Sequence, residues 1–316
     1  MGNSQLRRLP LGILGISALF ASSLGGGCAH HGAVAKAPLT PPMPPSATIA
    51  PSGGGRLFAD PRGAVDAILA ACLSGDETQV VAIFGEPARK LVSTGNAEKD
   101  RERCKRFVEA SKQMTRVDPD APGWVHIVVG QDDWKLPIPL VQTTGGWQFD
   151  CVAGAKEVAA RRIGANELEA IRVLRAFVAA QREYKTTHGS YAQRFASTPG
   201  REDGLSWASR RGRPSSPFSP EFGAAMQKTG WSGYRYKILT ARRENVAGWP
   251  REVHGKRTEG FALLAWPTAY RTTGMTSFLV DDSGKILETD LGESTPAIAS
   301  GMTRYDPDSS WKPVSN

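Results

Sequence analysis

Two adjacent carboxylates, Asp132 and Asp133, stand directly before Trp134. Paired carboxylates are the usual means of acid–base hydrolysis. Neighbours on a strand point to opposite faces, so these two share one substrate only if they sit in a turn. Aspartate capping a turn before Trp134 accounts for them without chemistry. His188 precedes Gly189 at an expected helix end, where an imidazolium suits the helix dipole. A hydrolase would need Asp132, Asp133, His188 and Arg194 to converge in three dimensions. The other histidines have no metal-ligand spacing: His30 and His31 are adjacent, His126 lies in a strand-like run, and His254 lies in a basic loop. Asp306, Asp308 and Ser310 start a calcium-loop spacing but lack its glycine and distant glutamate, so they read as a solvated turn. No G-x-S-x-G elbow and no phosphate-binding glycine loop occurs. No cofactor and no metal is expected. The best binding candidate is the Gly-, Pro-, Ser- and Arg-rich stretch 196–220. Arg194, the 197–203 loop with Asp203, and Trp207 join a helix to strands there. Arg210, Arg211 and Arg213 add cations suited to an anionic glycan, peptide or lipid headgroup. The same stretch reads equally as a plain connector.

Cysteine supplies a second kind of chemistry. Arg7 and Arg8 precede an apolar run, 9–24, which ends in Gly25-Gly26-Gly27-Cys28. This is the layout of a secretory signal. The run is shorter than the roughly 20 residues of a spanning helix. Small residues before Cys28 resemble a bacterial lipobox, with Gly25 where leucine is usual and Leu24 one place early. Cys28 is thus the expected lipid attachment site. Cleavage after Ala33-Val34-Ala35 is the alternative. Prolines 38, 41, 42, 44, 45 and 51, then Gly53-Gly54-Gly55, favour an extended tether. Cys72, Cys104 and Cys151 remain, which permits one bridge and one free thiol. All three sit on apolar patterns. A Cys72–Cys104 bridge is allowed in an oxidising compartment but is not dictated by spacing. The absence of C-x-x-C disfavours a zinc or thioredoxin-type centre.

The chain has 316 residues, 40% of them hydrophobic, eight tryptophans and a formal charge of +8. A leader of residues 1–27 holds Arg7, Arg8 and no acid, so removing it leaves +8 − 2 = +6. That charge suits anionic headgroups or cell-wall polymers. The basic residues are dispersed, so nucleic acid is not an expected partner.

The elements that must position these groups are legible in outline. Asp60-Pro61 opens a helix with Val65, Ile68, Leu69 and Cys72 inward, and Gly75 stops it. Asp76 caps a second helix, and a charged third covers 97–114. Strand-like runs cover 124–129, 134–141 and 146–152, with Gly145-Gly146 as a turn. A long helix is expected to start at Asn166 and Glu169 in capping-box style. Its stripe is Leu168, Ile171, Leu174, Phe177, Val178 and Tyr184. Strands resume at 234–241, 260–267, 275–281 and 285–289. The expected fold class is α+β. The organisation is a signal (1–27), a tether (28–56), an α+β domain (57–155) of nuclear-transport-factor or cystatin-like cone shape, and a long helix with an antiparallel sheet (156–316).

Several motifs carry a resemblance. Asp132-Asp133-Trp134, Pro137-Ile138-Pro139-Leu140-Val141 and Gly145-Gly146-Trp147-Gln148-Phe149-Asp150 are three of them. Arg161-Arg162-Ile163-Gly164, Gln181-Arg182-Glu183-Tyr184 and Tyr191-Ala192-Gln193-Arg194-Phe195 are three more. Together these resemble the bacterial family called domain of unknown function 2950, over about residues 58–314. The resemblance implies an exported envelope protein, often a lipoprotein, and no activity. Many members carry an acidic insert with calcium-loop spacing before the Tyr191 segment, where this chain has Lys185-Thr186-Thr187-His188-Gly189-Ser190. Residues 169–191 and 274–286 are also similar to type IV pilin-like globular domains, although the charged segment 156–164 does not suit filament packing. The expectation is a non-catalytic binding or assembly module of the envelope, held to a membrane through lipid on Cys28 and meeting a glycan, peptide or envelope protein. An envelope hydrolase and a structural surface protein are the alternatives.

Overall fold

Asp60 begins the first helix as expected. Its carboxylate accepts from the Gly63 amide at 2.8 Å, Pro61 follows, and Gly75 closes the helix at φ 69°. The computed structural model describes residues 54–209, 212, 215–239, 241–242, 252–253 and 256–315. Cys28, the 1–27 leader, most of the 28–56 tether, Arg210, Arg211, Arg213 and His254 lie outside the described residues. The chain is α+β and divides into two compact units between Arg161 and Arg162.

The first unit packs α1 (Pro61–Ser74), α2 (Glu77–Phe84), the short α3 (Arg89–Val92) and α4 (Ala97–Gln113) with an antiparallel sheet. Its strands are β1 (Thr115–Ala121), β2 (Trp124–Val129), β3 (Trp134–Lys135), β4 (Leu140–Thr143) and β5 (Gly146–Phe149). They run in the order β1-β2-β4-β5, with β3 also paired to β2. The expected strand 134–141 is two strands, because Pro137 and Pro139 lack the amides a ladder needs. The edge strand β1 escaped the sequence reading. It is polar, largely exposed and holds Pro119, which an edge tolerates. Val65, Ile68, Phe84 and Phe107 from the helices meet Ile127, Leu140 and Phe149 from the sheet.

Helix α5 runs Cys151–His188, fifteen residues earlier than the expected start at Asn166. The Asp150 carboxylate supplies the cap, accepting from the Val152 and Ala153 amides at 2.9 and 3.0 Å. Cys151 therefore opens a helix instead of ending a strand. Gly154 is required next, since a Cβ there would lie 2.6 Å from Ile138 Cγ1. Residues 151–161 belong to the first unit and 162–188 to the second.

The second unit adds α6 (Pro220–Lys228) and a sheet ordered β14-β12-β11-β10-β6. Its strands are β6 (Tyr234–Leu239), β10 (Ala262–Pro267), β11 (Ser277–Asp281), β12 (Ile286–Thr289) and β14 (Lys312–Pro313). Every neighbouring pair is antiparallel. All six β10 residues are buried. Leu263 and Ala265 join the cluster of Leu174, Phe177 and Val178 from α5. Ala262, Leu264 and Trp266 join a second cluster with Ala299 of α7 (Thr295–Gly301), Tyr305 and Trp311. The period-two alternation thus puts a helix layer on each face. Leu168, expected on the α5 stripe, is 58% exposed. At about 100° per residue it lies well over 90° from the stripe's centre. The strand pairs β7 (Ala241–Arg242) with β13 (Arg304–Tyr305) and β8 (Glu252–Val253) with β9 (Lys256–Arg257) complete the described elements.

Candidate functional site

The first unit contains a cavity of about 190 Å³ walled by α1, α2, α3, α4, the β3–β4 connection and the first turns of α5. Ile68, Val80, Phe84, Leu91, Phe107 and Ile138 make its apolar lining. These residues face it because each wall helix turns one stripe inward, and α1 and α4 are cross-linked beside it. Cys72 and Cys104, both lining residues, form a disulfide with Cα atoms 4.9 Å apart. The bridge left open by the sequence is therefore present, and Cys151 is the free, buried thiol. Burial, and then the charge of Asp150, pushes that thiol up to about 11. A thiol so raised is a poor nucleophile at neutral pH.

The charged lining is unbalanced in its commitments. Asp76 caps α2, accepting from the Thr78 amide at 2.9 Å and the Gln79 amide group at 3.1 Å. Glu77 pairs with Arg89 at 3.4 Å. Asp100 accepts from the Thr94 amide at 3.0 Å and the Ser93 hydroxyl at 3.1 Å, with Arg103 at 3.7 Å. Lys90 and Arg101 also line the cavity, are exposed, and have no carboxylate within ion-pair distance among the described residues.

The second unit has an open hollow of about 530 Å³ lined by Tyr184, His188, Tyr191, Arg194, Glu202 and Asp203 among others. Here the C-terminal end of α5 meets the loop after it. The His188 and Tyr184 rings stack with centroids 4.0 Å apart. His188 Nε2 lies 3.6 Å from a Glu202 carboxylate oxygen, and the Tyr184 hydroxyl donates to the Glu202 carbonyl at 2.7 Å. Asp203 accepts from the Thr198 amide at 2.7 Å and the Thr198 hydroxyl at 2.8 Å, with Arg194 at 3.6 Å. Burial raises the Asp203 pKa, but the Thr198 bonds and the Arg194 charge outweigh it and hold the carboxyl below its ordinary 3.8. The hollow's charges are largely spent on one another.

The family described as a protein of unknown function, DUF2950, matches residues 55–314. The chain belongs to that family. No curated protein and no solved structure matches it.

In this DUF2950 chain, the hollow gathers Arg194 and Asp203 from the expected binding stretch. Trp207 sits beside them but is 8% exposed, packed edge-on to Tyr184 and His188 with centroids 6.3 and 5.6 Å away. The stretch 196–220 is less a loose connector than a stitched one. Ala196 bridges Ser206, Ser206 bridges Phe218, and α6 starts at Pro220. Asp132 and Asp133 occupy the β2–β3 turn of the first unit. Asp133 adopts φ 53° and pairs with Arg116, while His188 and Arg194 belong to the second unit. His126 has Nδ1 3.3 Å from the Leu136 carbonyl and Nε2 3.3 Å from Asp120. Asp308 accepts from the Ser310 amide at 2.8 Å, which makes the 306–310 segment an Asx turn. Among the described residues no group of three His, Cys, Asp or Glu is placed to hold a metal. No described helix is long and apolar enough to cross a membrane. The cavity of the first unit escaped the sequence reading. The sequence does place Cys72 on an apolar helix face and Cys104 on one face with Phe107, and all three line the cavity.

Proposed function

We propose that this DUF2950 chain is an exported, lipid-anchored binding module of the bacterial cell envelope, with its ligand taken by the first unit. The observation that carries the reading is the cavity of about 190 Å³ with an apolar lining. A cavity of roughly 150 Å³ lined by aliphatic and aromatic groups already admits a benzene-sized guest. The Cys72–Cys104 disulfide supports export, since such bonds persist in oxidising compartments. The leader ending at Cys28 and the proline-rich tether support a body held off a membrane by lipid.

The test is a thermal-shift titration with octanol, a neutral apolar probe, on the mature chain, residues 28–316 without the leader and carrying Cys28→Ser, so that no detergent competes. Binding to the native state alone raises the melting temperature with probe concentration. Leu91→Trp, which fills the cavity from a half-buried wall position, should abolish the shift. An unchanged melting temperature with octanol, or an equal shift in the Leu91→Trp chain, removes the cavity as a ligand site.

A further inference from the structure

We infer that the cavity of the first unit selects an anionic amphiphile, a ligand with one short apolar chain and a carboxylate or phosphate head. This rests on the binding reading above and adds the ligand's charge and shape. The apolar wall of Ile68, Val80, Phe84, Leu91 and Ile138 takes the chain. Five cations line the same cavity, Lys90, Arg101, Arg103, Arg106 and Arg161, against three acids, Asp76, Glu77 and Asp100.

The acids are already engaged. Asp76 is the α2 cap, Glu77 faces Arg89, and Asp100 holds the Ser93–Thr94 turn. Arg161 is likewise engaged, donating to Glu157 at 2.7 Å and to the Lys135 carbonyl at 2.8 Å. Lys90 on α3 and Arg101 on α4 have no carboxylate within ion-pair distance among the described residues and stand beside the cavity's apolar lining. A cation next to a low-dielectric wall attracts an anion more strongly than one surrounded by water. A neutral chain would leave these two charges unanswered, and a cationic amphiphile would be repelled. The disulfide fixes α1 to α4, so the walls need little ordering when a ligand enters.

The same Cys28→Ser chain tests this by isothermal calorimetry with octanoate, octyl phosphate, octanol and octyltrimethylammonium. The expected result is that at least one of the two anions binds ten times more tightly than octanol, with the cation weakest. The two anions separate a carboxylate preference from a phosphate preference, and either one supports the inference. The exposed double variant Lys90→Glu, Arg101→Glu should lose that tenfold preference while its octanol affinity stays within twofold. Retained octanol affinity also shows that this variant is folded. Octanol binding as tightly as both anions overturns the charge selection and leaves the binding reading standing. Failure of all four probes to bind overturns both.

Discussion

Gln181 is a polar side chain with no exposed surface, in the middle of an apolar helix stripe. Its amide donates to the Ala192 carbonyl at 2.8 Å and its carbonyl accepts from the Ala192 amide at 2.9 Å. One side chain thus completes the backbone bonding of the segment after α5. Gln181→Ala would leave both Ala192 groups buried and unbonded, at a cost of about 2–4 kcal/mol. Urea denaturation of the variant measures that loss, and a change under 1 kcal/mol would show that the segment closes by itself. Asp203 belongs to the same region with a different signature. Its folded pKa lies below the ordinary 3.8, so it binds fewer protons folded than unfolded. Its stabilising contribution is therefore present above about pH 3.8 and disappears as pH falls through the lower folded value. Asp203→Asn should melt below the parent chain at pH 7, and the gap should narrow towards pH 3. A gap independent of pH would assign the effect to shape and not to charge. Gln181 stands in one of the motifs and Asp203 in the candidate loop 197–203, yet neither role was visible in the sequence. A glutamine one turn before Tyr184 says nothing of Ala192 until the chain doubles back.

At the scale of elements, capping and turn chemistry were read well and continuity was not. Asp60, Asp76 and Gly75 act where their types predicted, and Asp281-Asp282-Ser283-Gly284 makes the turn between β11 and β12. These are local effects, decided within four residues. Asn166, the expected helix start, and its neighbour Glu167 instead sit inside α5. The Asn166 amide donates to the Thr273 carbonyl at 2.8 Å, and Glu167 accepts from the Met275 and Thr276 amides at 2.9 and 3.0 Å. They tie the helix to the approach of β11, a partner more than a hundred residues away. The disulfide between α1 and α4 is also an element-level device. It closes a separation of 32 residues, for which chain entropy gives roughly 3–4 kcal/mol. Cys72→Ser with Cys104→Ser should lose about that much in denaturant unfolding. Dithiothreitol should lower the melting temperature of the parent chain and leave the double variant unmoved. Equal sensitivity of both chains would place the reductant's effect elsewhere.

At the scale of the whole molecule, the proposed anchor lies outside the described residues, and its prediction is correspondingly simple. Cys28→Ser should abolish incorporation of labelled fatty acid into the chain, and globomycin, which blocks removal of the leader from a lipidated precursor, should leave the parent chain in the membrane fraction with residues 1–27 still attached. A parent chain that is soluble with a terminus at Lys36 would show ordinary cleavage and no lipid. What the amino-acid order determined alone is the α+β class, the first two helix caps, the main turns and the presence of a strand at β10, because each depends on neighbours within a turn of helix or a hairpin. Family membership was legible for a related reason: motifs persist as short strings. The tertiary structure alone decided which cysteines pair, that α5 begins at Cys151, and that charges on α3 and α4 line one apolar cavity. Those outcomes depend on contacts between segments far apart in the chain, where spacing carries no information about distance.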